Sequence, residues 1–331
     1  MSGSSPHLGS PTRLPLLGLY PAKYRAANGE EIVAVLAESL QGADRRTVLR
    51  EWATVAAHAV RLRTRLSSSD PAGRFLAGAA PFLLAGGAGL AMVHLLLGLF
   101  LPDQFGDEGH PAARVAVGAA QTVPWILALV CAGSGRWGAA RLLVLAGTLV
   151  RTAAAAAFFA HESLALFQYL PLVGFWLLLG ALLLAPPDGI DVTRRARSEM
   201  VATALALALP MGAIAVIWPW PEEGLAVDHV FSDANRTLLD VSTAWPAVVM
   251  SIALLLNLAR RDTDRVRAAG VALAVLPWTV MLAPPYYWRP PFSGPDLLRN
   301  LLVVAGLLAL SATVAATRHR VAASTDPVEP A

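Results

Sequence analysis

Arg151 has the strongest claim to chemistry in this chain, because it stands alone in an apolar run midway between Arg141 and His161. A guanidinium at the centre of a membrane-crossing helix costs about 2.5–3.5 kcal/mol on insertion scales. It is retained where it faces a polar interior, finds a partner or reaches the headgroups. The side chains that could answer it are His94, Gln121, Gln168, Tyr169 and Glu162, and no spacing fixes a pair. Two readings follow. One is an internal polar site drawn from Arg151, His94, Gln121 and Gln168. The other is an arginine snorkelling past the small residues 153–157 toward the outer headgroups, with His94 a hydrogen-bonded packing residue.

Enzymatic chemistry finds little footing. His161 and Glu162 are adjacent, but no His-Glu-x-x-His spacing follows to seat a metal, so the pair reads as part of an exposed loop. The glycines of residues 132–138, AGSGRWG, lack both the Lys-Ser/Thr of a phosphate-binding loop and the Gly-x-Ser-x-Gly of a hydrolase elbow; they read as a tight turn. Cys131 is the single cysteine, which excludes an internal disulfide and any Cys-x-x-Cys pair. No catalytic residue, cofactor site or metal-ligand set is expected, and the chain is not expected to be an enzyme.

The elements that must carry Arg151 are set by composition. Of 331 residues, 56% are hydrophobic and 15% charged, against about a quarter charged in soluble domains. The mean hydropathy is +0.54. Residues 75–100 hold no formally charged side chain, long enough for the roughly 20 apolar residues a bilayer requires. Further apolar runs at about 113–131, 142–160, 164–184, 200–218, 241–258, 269–283 and 297–316 bring the expected count to eight spans. Pro124, Pro171 and Pro210 are expected to bend or break spans, and Pro277 to interrupt the seventh. The expected fold is all-α: an eight-span transmembrane bundle over 73–317, behind a small cytoplasmic helical domain at 13–72 and a disordered tail at 1–12. A cytoplasmic tail at 318–331 completes it.

Arginine and lysine collect on the cytoplasmic side of membrane proteins. Apart from Arg151, every one here falls in residues 1–74, in alternate loops or after the last run, except Arg114, Arg236, Arg289 and Arg299. Both termini are therefore expected in the cytoplasm. The lack of a signal peptide leaves targeting to the spans themselves, and the Arg-, Ala-, Gly- and Pro-rich, lysine-poor composition suggests a bacterial inner membrane.

In the front segment, residues 13–28 are expected to form one helix, stopped by Asn28-Gly29, and Glu30 and Glu31 to open a second that closes at Gly42. Asp44 is placed to cap a third. Its apolar stripe is Val48, Leu49, Trp52, Val55, Ala56, Ala59, Val60 and Leu66, with Arg45, Arg46, Arg50, Arg61, Arg63 and Arg65 opposite. These helices are expected to pack as a bundle; the alternative lays the third on anionic lipid. Because acids are interleaved with the arginines, the basic face does not point to nucleic acid.

The string over residues 19–39 resembles the short helical prefix found ahead of actinobacterial multi-pass membrane proteins. It is similar to permease prefixes and to helical signalling domains associated with PadR-type regulators. The matching residues are Tyr20, Pro21, Arg25, Gly29, Glu30 and Glu31. The resemblance implies a membrane-attached regulatory or scaffolding module. Physically, Pro21 can start a helix, Gly29 can end one, and Arg25 can pair with Glu30 or Glu31 across the turn.

The expected partners are the lipid bilayer, a cytoplasmic protein bound through 13–72, and a second copy of the chain, since Gly86, Gly87 and Gly89 permit close helix contact within one chain or between two. The leading functional expectation is a non-enzymatic signalling or scaffolding membrane protein. A transporter or permease subunit is the alternative, and a membrane-embedded enzyme acting on lipid-linked substrate the third.

Overall fold

The computed structural model describes residues 18–100, 111–159, 170–217, 233–260, 264–280 and 294–325. Among these, all regular structure is helical, and the chain divides into two compact units, 1–74 and 75–331. The first contains α1 (Ala22–Leu40) and α2 (Arg45–Arg63). Then come α3 (Pro71–Phe100), α4 (Pro111–Gly133), α5 (Trp137–Phe159), α6 (Leu170–Leu184), α7 (Arg194–Ile217), α8 (Asp233–Leu258), α9 (Arg265–Val280) and α10 (Gly294–Thr325), with a 3-10 turn at Pro187–Gly189.

Among the described residues the front unit has two main helices, where three were expected; residues 13–17 of the first expected one lie outside them. α1 runs straight through Asn28-Gly29, so neither residue stops a helix and the two glutamates lie inside one rather than at its start. Gly29 is not in the left-handed region, and the Asn28 amide donates to the Tyr24 carbonyl at 3.1 Å. A helical glycine costs about 1 kcal/mol relative to alanine, less than breaking a ladder of backbone hydrogen bonds on both sides. Asp44 does cap α2: its carboxylate accepts from the Thr47 amide at 3.1 Å. At the other end of α2, Arg65 adopts φ 54, the Leu66 amide reaches back to the Arg61 carbonyl at 2.8 Å and the Arg65 amide to Leu62 at 3.4 Å. That pattern satisfies the last carbonyls of α2 and turns the chain toward α3.

In the second unit three helices are long and apolar enough to cross a membrane, within α3, α4 and α10. α6 and α8 carry shorter apolar segments, 173–184 and 244–258. Helices overlie every expected run, although residues 160–169 and 281–293 lie outside the described part. α9 passes through Pro277, and Pro124 and Pro210 sit inside α4 and α7, so these prolines do not end their helices. α8 begins at Asp233, within the expected long loop, where acidic residues suit a helix N-terminus. α10 continues to Thr325, so every described residue after the last apolar run, 317–325, prolongs that helix into the segment expected as a tail.

α3 is the hub. The apolar window of α3 is 61% buried, against 28% for α4 and 17% for α10. Ala79, Ala80, Leu84, Ala85 and Ala88 are fully enclosed. Its small residues let three helices close in. A Cβ on Gly87 would stand 2.3 Å from the Trp125 ring of α4, one on Gly86 2.9 Å from Trp278 of α9, and one on Gly89 3.0 Å from the Ala204 carbonyl of α7. These glycines therefore make contacts within one chain. The tightest crossing is between α3 and α9, where a Cβ on Gly270 would fall 1.9 Å from the Phe75 carbonyl. Such approach lets dispersion act between backbones that a Cβ would hold apart. Elsewhere α4 packs along α5, and α8 against α7, α9 and α10.

Two outcomes follow. Gly270→Val forces backbones apart and destabilises the bundle by roughly 3 kcal/mol or more, read as loss of the monodisperse protein in detergent, whereas Gly306→Ala, with open space around it, leaves the melting temperature unchanged. The hydrogen bonds from Thr47, side chain and backbone, hold the Asp44 carboxyl below its ordinary range. Its contribution is present above that range and lost as pH falls through the lowered value. Hydrogen exchange of the first turn of α2, corrected for intrinsic rate, should accelerate on acidification, and Asp44→Ala should abolish that dependence.

Candidate functional site

The site around Arg151 is built from three helices. Gly147, one turn earlier on α5, leaves room for Trp125 of α4, whose Cδ1 would lie 3.0 Å from a Cβ there. Trp125 packs tilted against Phe175 of α6, with centroids 5.6 Å apart and planes at 44°. The Arg151 guanidinium lies over the Phe175 ring, 5.4 Å from its centroid. A cation over an aromatic face gains about 0.5–1 kcal/mol when exposed and about 2 when desolvated. Arg151 is exposed, as is Val150 next to it on the same helix.

The four residues expected to surround an internal polar site fare differently. His94 of α3 is exposed and lies within electrostatic reach of Arg151. Gln121 is half-buried on α4, and among the described residues no hydrogen bond joins it to Arg151. Gln168 lies outside the described residues, as do Tyr169, His161 and Glu162. Phe175 was not anticipated. It is far along the chain from Arg151, and the packing of α6 against α5, with Trp125 against the ring, brings it under the cation.

A second constellation lies at the helix ends. The Arg141 Nη2 donates to the Ala185 carbonyl at 2.5 Å, Arg197 Nη1 to Gly133 at 3.3 Å, and Arg267 Nη2 to Gly189 at 2.8 Å. Arg318 Nη2 donates to the Ala259 carbonyl. Glu199 pairs with Arg195 at 3.1 Å and also with Arg260. Ala185, Gly133 and Ala259 stand at or just past the C-termini of α6, α4 and α8, where carbonyls have no partner within their own helix and carry partial negative charge. The arginines that mark one side of the chain in the sequence thus also close the exposed ends of neighbouring helices. The 132–138 turn belongs to this face: Gly135 takes φ 84, and the Arg136 amide returns to Cys131 at 2.7 Å.

In the front unit the six prefix residues divide between core and surface. Tyr20 is 3% exposed, stacks on Tyr24 with centroids 5.5 Å apart, meets His58 of α2 at 5.9 Å and donates to the Val55 carbonyl at 3.5 Å. Burial, then Tyr24, raises its pKa above the ordinary phenol value, while Arg61 opposes the shift. Pro21 sits at the N-cap of α1. Gly29 abuts the aliphatic stem of Arg25. Arg25, Glu30 and Glu31 are exposed, and no ion pair joins them among the described residues. Residues five and six apart on a helix do not share a face. The stripe on α2 is only partly covered. Ala59 is enclosed, but Leu49 is 62% and Val60 47% exposed, with Arg45, Arg46 and Arg50 exposed beside them.

Arg267→Gln removes a charge-assisted bond and should lower the stability of the bundle by about 1.5–3 kcal/mol, measured by thermal unfolding in detergent; Arg194→Gln, an exposed position at the start of α7, should change it little. No protein-family model, curated protein or solved structure matches this chain.

Proposed function

We propose that this chain is a non-enzymatic, eight-span protein of a bacterial inner membrane, both termini cytoplasmic, whose front helical unit docks a cytoplasmic protein and whose bundle anchors that contact. The three helices long and apolar enough to cross support membrane residence. The arginine bonds support the alternation of direction that eight crossings require, since they join the turns after α4, α6 and α8 to the far end of α10.

The observation that carries the docking role is the free face of α2. Leu49 and Val60 point away from α1 while arginines flank them, an apolar centre with a basic rim, which suits a partner with an apolar hollow edged by acids. Tyr20 and Pro21 hold the two-helix frame that presents this face, so the prefix pattern reads as scaffold rather than as contact surface. The transporter reading takes second place because Arg151 lies exposed over Phe175 instead of lining an internal cleft.

A photo-crosslinking residue at Leu49 or Val60, in the full chain in native membranes, should capture a protein that the same residue at Ala37 on α1 does not. Charge reversal at Arg46 and Arg50 should abolish the capture. Adducts to lipid alone at positions 49 and 60 would sink the docking role.

A further inference from the structure

We infer that the occupant of the free α2 face is α1 of a second copy of this chain, the two front units closing about a two-fold axis into a four-helix bundle. The inference rests on reading that face as a docking surface, and it names what docks there.

The front unit has too small a core for its helices. Among residues 18–70 the buried side chains are Tyr20, Leu36 and Ala59, although α1 and α2 each run 19 residues. A helical hairpin so thinly packed is marginal alone, and small domains commonly complete their cores by oligomerising. The uncovered apolar positions are not scattered. On α2, Leu49, Ala53, Ala57 and Val60 follow one another at intervals of four, four and three, so they share one exposed or half-buried-free stripe, with Arg46 at its head and Arg45 and Arg50 along its sides.

α1 carries the counterpart. Ala27, Glu31, Ala34 and Glu38 recur at the same helical spacing on an exposed row, with Glu30 on one side and the exposed Val35 on the other. One helix therefore offers small and apolar residues among acids, and the other small and apolar residues among arginines. Among the described residues no ion pair engages Glu30, Glu31, Glu38, Arg45 or Arg46, and Arg50 reaches its neighbour Glu51 at 3.7 Å while its own side chain stays well exposed.

The hairpin places these charges so that two copies match. α1 and α2 run antiparallel, since Arg63 Nη2 near the end of α2 donates to the Gly18 carbonyl ahead of α1 at 2.7 Å. Glu38 lies near the end of α1 and Arg45 and Arg46 open α2, with Glu31 two turns and Arg50 one turn behind them. Acids and arginines thus gather toward the connecting turn, and Lys23 lies at the open end, away from both rows. A two-fold axis along the hairpin keeps the two turns level and lays α1 of each copy antiparallel over α2 of the other. Both acid–arginine rows then meet at once, and the alanines let the helices approach. Packing α1 on α1, or α2 on α2, opposes like charges and is selected against.

The test is a photo-crosslinking residue at Ala53 in the full-length chain, with two differently tagged copies co-expressed in native membranes. The wild type should give a product of two copies joined between α2 of one and α1 of the other. Arg46→Glu with Arg50→Glu, which reverses the α2 row, should lower crosslinking between copies about tenfold, and so should Glu31→Arg with Glu38→Arg, which reverses the α1 row. Co-expressing one variant of each kind should restore the yield, because each presents the helix that the other lacks, and that recovery also shows that both variants fold. A mixed yield no higher than that of either variant with itself overturns the inference. Capture of a different protein at position 53, with no product between copies, overturns it and leaves the docking role standing. Adducts to lipid alone remove both.

Discussion

Backbone-to-backbone approach at α3 is the constraint on which the rest of the large unit depends. Helices in lipid gain nothing from burying one apolar side chain against another unless they fit more closely than lipid fits them. The alanines and glycines between Ala77 and Gly89 give α3 a surface with few protrusions, and α4, α7 and α9 press into it. One consequence reaches Arg151. Trp125 can lie against Gly87 and Gly147 only because neither bears a Cβ, and from there its ring meets Phe175, which in turn carries the guanidinium. The polar feature most open to a functional reading thus stands three contacts away from a glycine.

Charge serves two purposes in the same residues. Arg141, Arg197, Arg267 and Arg318 lie where a count of basic residues assigns one side of a membrane, and each also satisfies a carbonyl at a helix end or turn. These purposes agree physically. A helix C-terminus attracts cations, and a cation that cannot cross the bilayer stays at the side where such termini gather. Glu199 pairs with Arg195 on its own helix and with Arg260 just past α8, and the second pair links the start of α7 to the end of α8.

Local features were legible in the sequence, and contacts between distant elements were not. The Asp44 cap depends on residues three apart, and the tight turn near Gly135 on a handful, so both could be read directly. The helical class and the apolar character of α3, α4 and α10 followed from composition and run length. Asn28-Gly29 misled because the signal for a helix stop is weaker than the ladder that continues through it. Pro277 misled for a similar reason, since a helix tolerates one missing donor when its neighbours hold it in place. The glycines of α3 announced close contact but not its object, and nothing near Arg151 in sequence named Phe175. Tyr20 stood out in a motif whose pattern did not disclose that its role is to join α1 to α2.

The glycines of α3 also bear on how this chain can change over generations. Any replacement of a glycine adds at least a Cβ, and at Gly78, Gly86 and Gly87 that atom meets backbone or a ring at under 3.0 Å. The outward leucines of α10, such as Leu298 and Leu302, interchange with valine, methionine or phenylalanine without touching a neighbour's backbone. Descendants of this sequence will therefore diverge fastest along the helices whose apolar side chains stand outward. They will remain most alike in the helix with the fewest distinctive side chains, so the least conspicuous segment carries the most durable record of ancestry.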